Sequence, residues 1–241
     1  MAGEAANPID VTELCHQVTR IAPVVLAAEQ VLPVPELFGE LLPGRGLQRG
    51  WITRVEGGPS ARAFAWALLA GVTTSGGWIA AVDVPGIGLA AARDVGVAIE
   101  RIVVVSSPDA GEWSTVVAAL IGAVDVVVFD SPRHRVAPSE HRRLASRARE
   151  RGSVLLELAT SSRPVRLESQ LQYDLAFSTR PLAWEGLGNG HGCLRGRALD
   201  VAVSGRRLGG ASRSARFELP GVDGTIRRIE TAESAVVIPL R

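Results

Sequence analysis

The sequence predicts an α/β fold: a mostly parallel sheet flanked by helices, with an added antiparallel hairpin and a C-terminal extension. Three observations predict it. Short β-branched runs alternate with helical apolar patterns between residues 51 and 159. The strand runs, such as VDVVVFD (124–130), are almost continuously apolar, as a parallel sheet covered on both faces requires. From about residue 170 the rhythm changes to two long extended segments separated by GNGHG, the pattern of a hairpin.

The elements follow in order. Residues 10–31 read as a helix, with Asp10 as cap and Glu13 placed for a capping-box-like start. Val11, Leu14, Val18, Ile21 and Val25 share one face, and Pro23 kinks or ends it. The Pro- and Gly-rich stretch VLPVPELFGELLPGRGLQRG then reads as a connector. WITRVE (51–56), WIAAVDV (78–84), RIVVVSS (101–107), VDVVVFD (124–130) and SVLLELA (153–159) are the strands. Helices fall at 61–73, 89–96, 111–122 and 139–152, each between two strands, which makes βαβ units. YDLAFSTRPLAWEGL and CLRGRALDVAVSGRR form the hairpin. Beyond residue 206 the chain is rich in Gly, Ser and Arg, with one short strand at ARFEL, and is expected to pack poorly alone. The division is thus an N-terminal helix and linker (1–36), a core (37–205) and an extension (206–241) that is a candidate for partner binding.

Composition narrows the chemistry. With 241 residues, 46% apolar and 21% charged, the chain can bury a core without disulfides or metals. Cys15 and Cys193 form no CxxC pair, so a reducing cytoplasm is expected, and the first residues lack the basic start and apolar stretch of a secretory signal. The most apolar window, VVAALIGAVDVVVF, is interrupted by Asp125 and is too short to span a bilayer, so no membrane partner is expected. A net charge of +1 argues for no class of partner. Every basic residue is arginine, as in GC-rich bacterial genomes, which excludes a Schiff-base or Walker lysine within the chain.

VEGGPSARAFAW (55–66) reads strand, glycine turn, helix, the setting of a phosphate-cradling loop. Such a loop, G-x-x-x-x-G-K-[ST], needs glycines for its backbone donors, a lysine for the outer phosphates and a hydroxyl for magnesium. With Gly57 as first glycine and Gly58 beside it, Arg62 replaces the second glycine. Ala63 replaces the lysine and Phe64 the hydroxyl, and Pro59 removes one backbone donor. Removing a single preorganised donor at a charged transition state costs about 3–4 kcal/mol, so magnesium-dependent hydrolysis and an ATP cofactor are not expected. Asp130 ends its strand like a Walker B carboxylate, and Asp83 lies near the end of another. Acids at the ends of parallel strands are also common without any such role.

LLPGRGLQRGWITRVEGGPSARAFAW resembles the approach to the phosphate loop of RecA-family recombinases. WIAAVD, AARDVGVAIERIVVVSSPDAGEW and VDVVVFDSPRHRV follow the same core in the same order, over residues 37–160 and more loosely to 205. Pro85 stands where the recombinases carry a catalytic glutamate, so departures fall on Ala63, Phe64 and Pro85. The loops expected to bind DNA, after Asp130 and after SVLLELA, look shortened. A RecA-like core without ATPase residues resembles the ImuA-prime type of mutasome accessory protein from actinobacteria, related to ImuA and SulA. That resemblance implies a non-catalytic, cytoplasmic protein, nucleoid-associated when DNA is damaged, serving SOS-induced translesion synthesis and mutagenesis. Its implied partners are ImuB, an inactive Y-family polymerase relative, and through it an error-prone replicative-type polymerase, with RecA or DNA as further candidates. A SulA-like division inhibitor and a divergent DNA-dependent ATPase using Arg62 are the alternatives.

Other candidate sites are arginines. SPRHRV supplies Arg133 and Arg135, and the following helix Arg142, Arg143 and Arg147, with Arg149 and Arg151 beyond. Arg206, Arg207 and Arg213 precede ARFEL. These are candidates for contact with phosphates or an acidic partner, against the plainer reading of a solvated face. His191 with Cys193, and Cys15 with His16, are too few for a metal site, and the histidines form no triad pattern with His134 and His141. The terminal run AESAVVIPLR is strand-like and suited to adding to a sheet edge, in this chain or a partner.

Overall fold

A computed structural model describes residues 31–107, 111–130, 137–160, 173–187, 191–221 and 223–230. The expected N-terminal helix with Cys15 and His16, the SPRHRV stretch with Arg133, His134 and Arg135, and the AESAVVIPLR run lie outside these residues. Two short strands come first, β1 (Val31–Pro33) and β2 (Gly46–Gln48). The parallel part of the main sheet is built from β3 (Ile52–Glu56), β4 (Ile79–Val82), β5 (Ile102–Val105), β6 (Val126–Asp130), β7 (Val154–Ala159) and β8 (Leu175–Leu187). The antiparallel part is β9 (Gly192–Ser204), β10 (Arg213–Glu218) and β11 (Arg227–Ile229). These nine described strands, β3 to β11, lie in the order β11-β10-β9-β8-β3-β7-β6-β4-β5. The mostly parallel sheet and its added hairpin stand as the sequence predicts.

Side-chain alternation sends successive residues of each strand into two different cores. Val55, Val128 and Leu156 pack under helix α1 (Pro59–Thr74), with Ala92 of the short helix α2 (Leu89–Asp94) in the same cluster. Ile52, Val127, Phe129 and Leu155 pack under α3 (Trp113–Leu120) and α4 (Pro138–Arg151). β4, β5 and β6 are therefore apolar at consecutive positions. Helix α1 begins with Pro59 at its first position, where a missing N–H costs nothing. Helix α4 ends at Gly152, which takes the left-handed conformation and returns its N–H to Ala148 O.

Two expected peripheral segments belong to the core. The connector reading of residues 31–50 is corrected: β1 and β2 pair antiparallel around two 3-10 turns. Phe38, Leu41, Leu42 and Leu47 are buried. β1 crosses so close to α1 that a Cβ on Gly71 would meet Pro33 O at 2.7 Å, so only glycine fits there. The poorly packing extension after residue 206 is corrected as well, because β10 and β11 continue the sheet and Phe217 and Leu219 are fully buried. One aromatic chain unites these parts: Phe217 lies 4.9 Å from Phe38, Phe38 5.3 Å from Phe64, and Phe64 5.3 Å from Phe177. Such ring pairs add about 0.5–1.5 kcal/mol each beyond their burial.

Candidate functional site

In open parallel α/β sheets, ligand sites lie where strands end and helices begin, so the β3–α1 joint comes first. β3 ends at Glu56 and α1 begins at Pro59, leaving only Gly57 and Gly58 between them. Gly57 has φ +125°, and a Cβ there would fall 2.1 Å from Thr179 O on β8. Thr179 Oγ1 donates to Glu56 O at 3.0 Å and fixes that approach. Gly58 caps the helix at φ 64°, ψ −137°, a region suited to glycine.

A phosphate site at a helix N-terminus uses the N–H groups of the first turn. Here Pro59 has none, Ser60 and Ala61 are buried, and Ala61 N is bonded to Gly58 O at 3.1 Å. Arg62, Ala63 and Phe64 lie within α1, in line with the helix expected over 61–73, and follow its first three residues. Phe64 is fully buried against Phe38 and Phe177, and Ala63 packs partly on the same core. Arg62 donates from Nη1 to Gly86 O at 2.6 Å, while Trp66 Nε1 donates to Ile87 O at 2.9 Å. Both bonds hold the turn after β4, where Pro85 sits, against α1. Arg62, Ala63 and Phe64 thus place one hydrogen-bonded cation, one small apolar side chain and one buried ring at the three positions.

Two acids at strand ends have local partners. Asp130, at the end of β6, is buried and accepts from Thr160 Oγ1 at 2.7 Å, while its Oδ1 has no partner among the described residues. Asp83, at φ 49°, accepts from Ser107 N at 2.8 Å and so ties β4 to the end of β5. Among the described residues no three His, Cys, Asp or Glu side chains are grouped to hold a metal ion.

The strongest buried electrostatics were missed by sequence reasoning. Arg54 and Glu157 face each other across β3 and β7, with side chains 6% and 2% exposed. Arg54 Nη1 donates to Glu157 Oε1 at 3.3 Å and to Tyr173 OH at 2.9 Å; Tyr173 in turn donates to Glu157. Burial opposes the charge on Arg54, but Glu157, Tyr173 and Glu56 outweigh it and hold the guanidinium above its usual value. The readable signal was an opposite charge in the middle of each of two apolar strands, ITRVE and LLELA. Nearby, burial pulls the His141 imidazole below its usual value, with Glu157 and Glu140 partly opposing.

The candidate arginines are not gathered onto one surface. Arg206 Nη2 and Arg207 Nε donate to the fully buried Asp174 Oδ1 at 2.7 Å and 3.1 Å, and Asp174 Oδ2 accepts from Ile52 N at 3.0 Å. That cluster clamps the end of β9 to the start of β3, and Arg207 also lies over the Trp51 ring. Arg213 Nη1 donates to Glu40 O at 3.1 Å. Arg142 Nε donates to Pro138 O within α4, while Arg143, Arg147, Arg149 and Arg151 are exposed along it. His191 and Cys193 are exposed at the start of β9, at the tip of the hairpin.

Comparison with known proteins places this geometry. Residues 40–163 match the family model described as the MT3502 N-terminal domain. The chain is 35% identical over 136 residues to the uncharacterized protein Rv3395c of Mycobacterium tuberculosis (strain ATCC 25618 / H37Rv). That alignment covers 55% of this chain and 64% of the relative, so the chain spans under two thirds of the relative's length. The crystal structure of the RadB recombinase superposes with a TM-score of 0.59 at 18% identity, covering 81% of this chain and 97% of that one. At that identity the likeness concerns the fold. No helix among the described residues is long and apolar enough to cross a membrane. The chain belongs to the MT3502 N-terminal domain family and has a RecA-like α/β fold.

Proposed function

We propose that this protein is a non-catalytic RecA-like accessory factor of damage-induced, error-prone translesion synthesis, which binds ImuB and through it an error-prone polymerase. The observation that carries the non-catalytic part is the closed β3–α1 joint. Only two glycines separate strand from helix, Gly57 is pressed on Thr179, and Phe64 fills the core where a metal-binding hydroxyl would stand. Arg62, in the first turns of that helix, donates from Nη1 to Gly86 O, while its buried Nε has no partner among the described residues. The mutasome part rests on the resemblance to ImuA-prime proteins together with the RecA-like fold, and a cytoplasmic, nucleoid-associated location follows from the same reading.

Co-purification of the full chain with ImuB tests it. Retention of ImuB by the wild-type protein supports the reading; failure to retain it under conditions where both are folded ends it. A chain truncated after Gly205 would confuse folding with binding, because β10 carries the buried Ala215 and Phe217. Deletion of residues 231–241 is the cleaner variant for asking whether the terminal run makes the contact.

A further inference from the structure

Seven large apolar side chains are exposed among the described residues, and four of them (Leu182, Trp184, Leu187 and Leu194) lie on the outer half of one hairpin. That half stands clear of the sheet. β3 pairs with β8 only as far as Ser178, and β10 pairs with β9 only from Ala198 onward. Residues 181–187 and 191–195 are exposed. A two-stranded ribbon is marginal in water by itself and leaves both strand edges open. A cluster of exposed apolar side chains on such a ribbon marks an interaction surface.

The ribbon also holds a charge that the described residues do not neutralise. Trp184 and Arg197 are directly opposite, with the guanidinium carbon 5.4 Å from the ring centroid. Arg197 is 7% exposed, and its Nε donates to Leu219 O at 3.0 Å. No described carboxylate pairs with it, and burial alone lowers its affinity for the proton. Buried guanidinium groups are ordinarily matched by an acid. Arg195, exposed, stands two positions before it on the same strand.

We propose that the outer half of the β8–β9 hairpin is a docking surface for a protein segment that carries apolar side chains beside a carboxylate. Trp184 and the leucines take the apolar part, and Arg197 with Arg195 takes the acid. Leu182, Leu187 and Leu194 offer no face for stacking bases, so a nucleic acid is the poorer match. The surface is independent of ImuB as its occupant: failure of ImuB binding and failure of this surface are separate results.

Panning a displayed library of short random peptides against the full-length protein tests the proposal, with enriched peptides synthesised and titrated by fluorescence anisotropy. Enrichment of peptides with Asp or Glu beside Leu, Phe or Trp is expected. Trp184→Ala should weaken the best peptide by about 30-fold or more, as for a central aromatic anchor. Arg197→Gln, or the exposed Arg195→Gln where Arg197→Gln fails to fold, should remove the preference for acidic peptides. Circular dichroism identifies any variant that has lost its fold. The proposal is overturned by no acidic-apolar enrichment, by unchanged binding of folded Trp184→Ala and Leu194→Ser, or by displacement of the peptides by oligothymidylate. A wild-type dimer in sedimentation equilibrium that Trp184→Ala converts to monomer also overturns it, by making a second copy the occupant.

Discussion

The β3–α1 joint and the outer β8–β9 hairpin are opposite outcomes on one sheet. At the joint, Gly57 is pressed against Thr179 and Phe64 is buried among Phe38 and Phe177. At the hairpin, side chains suited to burial are left in water, and Arg197 keeps a charge without a counter-ion among the described residues. The difference teaches that one sheet closes its core at the β3–α1 joint and leaves apolar side chains exposed at the far hairpin. Changes at the joint should therefore cost stability, and changes at the hairpin should cost recognition.

The largest expected effects fall on the closed side. Phe64→Ala removes the ring that links the segment at Phe38 to β8, and should destabilise by about 3–5 kcal/mol in urea unfolding. Glu157→Gln leaves the buried Arg54 guanidinium with a neutral partner, and should cost a similar ~3–5 kcal/mol. Replacing Arg54 and Glu157 together by Met should cost far less than Glu157→Gln alone. If the double variant is the worse of the two, the buried pair is a net stabiliser and the account of this face is wrong.

A smaller effect follows from His141. Its folded imidazole is held below the usual value by burial, so the unfolded chain takes up the proton first as pH falls. The contribution is complete above about pH 6.5 and is lost as pH drops through the window below it. Thermal unfolding should show a lower Tm at acid pH, and the drop should shrink in His141→Gln. The smallest stability effect is expected on the open side: Trp184→Ser should shift unfolding by about 0.5 kcal/mol or less, because its side chain is nearly half exposed. A cost comparable to that of Phe64→Ala would show that the two regions do not differ as described.

Much of the fold was legible from local pattern. The alternation of β-branched runs with helical faces locates β3 to β7 and their helices to within a few residues, and the two long segments around GNGHG give β8 and β9. The parts that were not legible depend on long-range packing. Phe38 in a Pro- and Gly-rich stretch reads as a connector until Phe64 and Phe217 meet it. ARFEL reads as an isolated strand until β9 pairs with it. At the candidate site, residue identities exposed the missing lysine and hydroxyl, and the strand, glycine turn and helix read there match the two-residue joint. Arg206 and Arg207 read as surface cations because nothing in sequence links them to Asp174 across the sheet.

Isothermal titration of the full-length protein with ATP and magnesium tests the closed joint most directly. No saturable heat is predicted up to millimolar nucleotide. Binding tighter than about 1 mM (roughly −4 kcal/mol), and lost in Arg62→Ala, would contradict the account.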